Sequence, residues 1–117
     1  MKPLDKFGQF LVANLRDQSI QFTDMLIEGL WKAPDLTQLQ NSVGLLSSEQ
    51  KQLVRRVVIE SLDHGIHDFL FALQESNDFK MGINVVVDGK NIADLSDGLH
   101  GESFSEDGWN ARFSKYA

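Results

Sequence analysis

Residues 46–78, LSSEQKQLVRRVVIESLDHGIHDFLFALQESND, read as one helix with no proline to interrupt it. Ser47 is placed to accept from the backbone of the first turn, and Gln50 stands three residues on, able to reach back: the capping-box spacing. The helix is predicted from about Ser48 to Gln74–Ser76. Gly65 falls inside it at a cost of about 1 kcal/mol relative to alanine, which leads us to expect a close neighbour there. At about 100° per residue, Ile59, Leu62, Ile66, Leu70 and Leu73 gather on one side. Leu53, Val57, Glu60, His64, His67 and Phe71 form a stripe on nearly the opposite side. A helix apolar on both sides is expected to be central and buried.

The flanking segments are shorter. Leu4, Phe7, Leu11 and Leu15 make one helical stripe, the polar RDQS at 16–19 interrupts it, and Phe22, Leu26 and Leu30 resume it beside Ile27 and Trp31. This predicts one long helix, or two with a bend near Asp17, ending at Pro34. Asp35 and Gln38 have capping-box spacing before a short helix with Leu36, Leu39 and Val43 on one face. INVVVDGKNIADL is β-branched around Asp88-Gly89, which favours a type I′ turn and a hairpin pairing about 83–87 with 91–95. The last residues predict a short helix capped by Ser105, with Trp109, Phe113 and Tyr116 on one face; a strand at 109–114 is the rival reading. The fold class is α+β in a single domain, 1–117: a mainly helical N-terminal two-thirds with a long buried helix (about 48–76), a β-hairpin (about 83–95) and a short C-terminal helix.

The chain has 17 acidic and 11 basic residues, a net charge of −6. That disfavours nucleic acid and anionic membranes, both polyanions, and is compatible with a basic protein partner. With no cysteine, disulfides and thiolate metal sites are excluded. No apolar run approaches the ~20 residues of a membrane span, and the N-terminus lacks the clean apolar stretch of a signal peptide. A cytoplasmic location is expected.

Two segments carry candidate chemistry. In DHGIHDFLF (63–71), Glu60, His64 and His67 share a stripe, Asp63 stands four residues before His67, and Asp68 four after His64. Imidazole and carboxylate could hold a metal or move protons, with a third ligand from His100, Asp97 or Glu102. The helical zinc signature His-Glu-x-x-His is absent, and so is the paired Glu-x-x-His of di-iron bundles. The plainer reading is a polar seam in a core, its histidines bonded to carboxylates or carbonyls, with neither metal nor cofactor. The second segment, SDGLHGESFSEDGW (96–109), is a glycine-rich loop that matches neither a calcium nor a phosphate loop. Asp97, Glu102 and Trp109 are its candidate binding residues, against the reading that its carboxylates only cap turns. Arg55 falls on the Ile66 side of the long helix, where an ion pair to an acid on another helix is expected.

GIHDFLFALQE (65–75) and VDGKNIADLSDGLHGESFSEDGWNARFSKY (87–116) resemble segments of a group of small bacterial proteins that has no established activity. The resemblance covers mainly the C-terminal half. It implies a small α+β domain in a bacterial cytoplasm, of the size carried on integron cassettes or used as immunity proteins, and transfers no catalytic residue. Three functions are compatible with the sequence. The first is a non-enzymatic protein-binding module, immunity- or antitoxin-like. The second is a small metal- or ligand-dependent enzyme using Glu60, His64 and His67. The third is a structural homo-oligomer, a homodimer in its simplest form.

Overall fold

The computed structural model describes residues 1–116. Its axis is α4 (Ser48–Asp78), a helix of 31 residues. At 1.5 Å per residue it is about 46 Å long, and the molecule measures 48 × 29 × 22 Å. One helix therefore sets the long dimension. The capping box forms as expected: the Ser47 hydroxyl accepts from the Gln50 amide at 3.1 Å, and the Gln50 side chain accepts from the Ser47 amide at 2.9 Å.

α1 (Pro3–Leu11) and α2 (Asp17–Glu28) are joined without a break by a π-helical turn, Val12–Arg16. Its wider ring closes with the Asp17 amide donating to the Val12 carbonyl. A π turn holds one residue more than an α turn, so it shifts the inward face by one position. Val12, Arg16 and Ile20 point inward, and Leu15, expected on the apolar stripe, is turned out to solvent. α2 stops at Gly29, φ +72°, before Pro34 is reached. The left-handed glycine lets the Leu30 amide return to the Met25 carbonyl. Leu30 and Trp31 thus lie beyond the helix they were assigned to, with Trp31 edge-on to Phe22 at 4.8 Å. Pro34–Leu36 form a 3-10 turn leading into α3 (Thr37–Gly44), and the expected Asp35/Gln38 box does not form because Leu36 occupies the cap position.

After α4 the chain makes a minimal hairpin, β1 (Val86–Val87) against β2 (Lys90–Asn91), antiparallel with Val87 opposite Lys90. Asp88 and Gly89 both have positive φ, as a type I′ turn requires. The ladder is much shorter than predicted. Asn91 caps a 3-10 turn, Ile92–Leu95, by accepting from the Ala93 amide, and this pulls Ile92 and Ala93 into the core. A second 3-10 turn, Leu99–Gly101, and α5 (Trp109–Phe113) complete the fold. The end segment is a helix, not a strand. Its cap is Gly108 rather than Ser105, whose carbonyl instead accepts from Gly108 in a turn.

The core lies where the C-terminal half of α4 meets α1 and these last segments. Ile66, Leu70 and Leu73 pack with Leu11, Val12, Ile92, Leu99 and Trp109. Trp109, with 0% exposure, lies flat against Gly8 of α1 and edge-on to Phe7 at 5.9 Å. A Cβ at position 8 would overlap the indole ring. Arg112 of α5 adds a two-point ion pair to Asp5, 2.7 and 3.2 Å, which holds the Asp5 carboxyl below its usual range. α4 is therefore covered on one side only. Its opposite stripe is open: Leu53 is 63% exposed, Val57 57% and Phe71 44%. The expectation of burial on both sides fails along Leu53–His64, since only the His67–Phe71 end of that face is approached by the rest of the chain, through His100 and Phe104.

The two glycines make opposite predictions. Gly65, expected to sit beneath a neighbour, has open space where a Cβ would go. Gly65→Ala should stabilise by about 1 kcal/mol, whereas Gly8→Ala should destabilise by about 2 kcal/mol or more through overpacking on the indole. Urea unfolding midpoints of the two variants against the parent chain will check both signs.

Candidate functional site

Polar side chains on the last turns of α4 dock the C-terminal segments. Gln74 accepts from the Leu99 amide at 3.0 Å, and Asn77 bridges Asn91 and Asp94 at 2.9 Å each. Ser76, buried, bonds both polar groups of the Ile83 backbone. These anchors place the loop 96–108 over one flank of α4. Within it Glu102 is structural: its side chain accepts from Ser96 at 2.8 Å and its carbonyl from the Trp109 amide at 2.8 Å. Gly108 is required by the same packing, since a Cβ there would lie 2.8 Å from the Glu102 carbonyl oxygen.

The loop brings the three histidines together. His100 stands edge-on to Phe71 at 5.0 Å and to His67 at 5.4 Å, and His67 is 6.4 Å from His64. Phe104 closes the side, 6.1 Å from His67. Beside them runs an open groove of about 660 Å³, lined by Glu60, Ser61, Asp63, His64, His67 and Phe104. His64 Nε2 lies 3.2 Å from one oxygen of Asp68, and His67 Nδ1 lies 3.2 Å from the other. The expected i, i+4 pair of His64 with Asp68 is thus present.

The remaining expectations divide. Asp63 does not serve His67: it is taken by Arg16, whose guanidinium donates to both of its oxygens at 2.7 and 3.1 Å. Asp97 is exposed at the loop surface. Trp109, a candidate binding residue, is core, because its ring fills the notch at Gly8. Among the described residues no three His, Asp or Glu side chains are placed to hold a metal ion, so the imidazoles meet by their ring edges and faces rather than around a common point. His100 Nδ1 is buried without a hydrogen-bond partner among the described residues.

Arg16 is the functional-looking residue that sequence reasoning missed. It is buried, and besides Asp63 it donates to the Ser114 hydroxyl at 2.9 Å and the Tyr116 carbonyl at 3.0 Å. Asp17, also buried, accepts from Ser114 at 2.7 Å and from the Lys115 amide at 2.9 Å. The signal was present: a charged pair breaking an apolar stripe in RDQS marks a buried ionic junction as readily as a bend. Arg55 behaves as predicted, pairing with Asp24 of α2 at 2.7 and 3.3 Å, and that hydrogen bond raises its pKa.

Arg16 and Asp63 form a structural junction: the guanidinium donates four hydrogen bonds, all to the protein's own tail and α4. Asp63→Asn leaves a buried guanidinium without its counter-charge and should cost about 3 kcal/mol, while Arg16→Met with Asp63→Leu should recover most of it. Hydrogen exchange will also show residues 114–116 losing protection in the double variant, which lacks the Arg16 donors to Ser114 and the Tyr116 carbonyl, whatever global stability it regains.

Comparison of the chain with family models, with curated proteins and with solved structures finds no match in any of the three. Among the described residues no helix is long and apolar enough to cross a membrane.

Proposed function

We propose that this chain is a non-enzymatic protein-binding module. The observation that supports the reading is its surface. A chain of 13.2 kDa exposes 7793 Å², about 1,400 Å² more than a compact monomer of that mass. Its radius of gyration is 16.9 Å, against about 13 Å for a compact domain of this length. Many large apolar side chains are exposed, among them Leu45, Leu53, Val57, Phe10 and Phe79. Exposed apolar side chains in this number support the reading of a surface that another polypeptide covers. The net charge of −6 is compatible with a basic partner; an immunity- or antitoxin-like role against a basic toxin is the most specific form.

The test is stoichiometric association. The purified chain is expected to be covered either by itself or by a protein retained from a native extract, in saturable binding that Val57→Asp weakens. A chain that stays monomeric at high micromolar concentration and retains no polypeptide overturns the reading.

A second reading rests on one observation, the convergence of His64, His67 and His100 beside a groove that also holds Glu60. It makes the chain a small acid/base enzyme in which His67 and Glu60 exchange protons with a ligand in the groove. Turnover of a model ester or phosphodiester, abolished by His67→Gln and unaffected by Val57→Asp, would support it. Absence of any turnover that depends on His67 removes it.

A further inference from the structure

We infer that the open stripe of α4 is a homodimer seam in which a second copy of the chain packs antiparallel about a two-fold axis level with Leu62. The inference rests on the reading of the chain as a protein-binding module and names the occupant of one face. Three observations carry it.

The first is spacing. Leu53, Val57, Glu60, His64, His67 and Phe71 follow one another at steps of four and three residues, alternating. That is the heptad rhythm of a helix-pairing seam, and it runs for about 27 Å of straight helix. Seams of this kind are normally buried. Here Leu53, Val57, Glu60 and His64 are all exposed and Phe71 nearly half so, while His67 is partly covered by His100 and Phe104 of its own chain.

The second is symmetry. The stripe is a mirror of itself about position 62. Reversing α4 on itself sets Leu53 against the partner's Phe71, Val57 against the partner's His67, and Glu60 against the partner's His64. An aliphatic side chain then meets an aromatic ring toward each end, and a carboxylate meets an imidazole at the centre, twice over. A parallel pairing would instead set Glu60 against Glu60 and His64 against His64, with like groups opposed at the centre. Charge complementarity therefore selects the antiparallel arrangement, and a two-fold closes the assembly at two copies.

The third is shape: an open groove runs along the stripe, lined by Glu60, His64, His67 and Phe104. Phe104, exposed on the rim of the groove beside His67, supplies a side wall for the incoming helix. The hydrogen bonds of Gln74 and Asn77 keep the loop in place without using the stripe.

The test uses the purified full chain. Sedimentation equilibrium is expected to give a dimer at micromolar concentration, and Val57→Asp and Val57→Lys should each weaken it by about tenfold or more. Both variants should keep the parent's helical circular dichroism, because Val57 lies outside the core. Orientation is read separately. The chain has no cysteine, so single introduced thiols report cleanly. A mixture of Glu60→Cys and His64→Cys chains should oxidise mainly to the mixed disulfide, and the exchange variant Glu60→His with His64→Glu should dimerise like the parent. A dimer that cross-links 60 to 60, or one indifferent to both Val57 substitutions, overturns the seam. A monomer that binds a different polypeptide through Val57 also overturns it, while leaving the protein-binding reading intact. A monomer that binds nothing defeats both.

Discussion

The Arg16 guanidinium is the point on which the architecture turns. It leaves the π-helical junction between α1 and α2, grips Asp63 in the middle of α4, and holds the backbone of Tyr116. Three segments far apart in the chain are joined by one planar group whose fork of donors matches a carboxylate. The π turn exists in the same relation: without its extra residue Leu15 would face inward, and an aliphatic side chain would confront Asp63. Buried ion pairs contribute little net stability compared with apolar contacts of the same volume. Their contribution here is to geometry, since only one alignment of α1, α4 and the tail satisfies all of these bonds.

What the sequence made legible was chemistry confined to neighbours along the chain. The Ser47–Gln50 box, the Asp88-Gly89 turn, the His64–Asp68 pair and the long helix all depend on residues a few positions apart, and all are present. Arg55 with Asp24 was legible in part, because the wheel gives the side a residue faces though not its partner. The errors share a cause. The end of α2 was assigned to Pro34, but Gly29 ends it first by adopting a backbone angle that proline's influence does not reach. The predicted hairpin is too long because a β-branched residue, Ile92, fills a buried 3-10 turn as well as it would a strand. Burial of both faces of α4 was inferred from its own pattern, when burial depends on what the rest of the chain can supply.

The histidine-rich stretch shows the same division. Its density suggested a site, and the loop carrying His100 does fold over it. Yet Asp63 is engaged by a residue no local pattern could nominate, and the rings do not point at one centre: His100 meets His67 edge to face, while His64 and His67 lie stacked. The cluster has two aspects. Toward His100 and Phe71 it is packing between ring edges and faces. Toward Glu60 and His64 it is a polar, open strip of helix with carboxylate and imidazole interleaved, a surface fit for recognition by its complement.

The bonds between Arg112 and Asp5, and between the Tyr116 carbonyl and Arg16, also bear on how the chain matures. During synthesis the first helix leaves the ribosome about a hundred residues ahead of the tryptophan that fills its Gly8 notch. Until then α1 has an empty groove and α4 has two bare sides. The nascent chain must pass through that state, because non-local closure of this kind cannot begin before its second half has been made. A fold closed by its last segments holds its most adhesive surfaces open longest during its own translation.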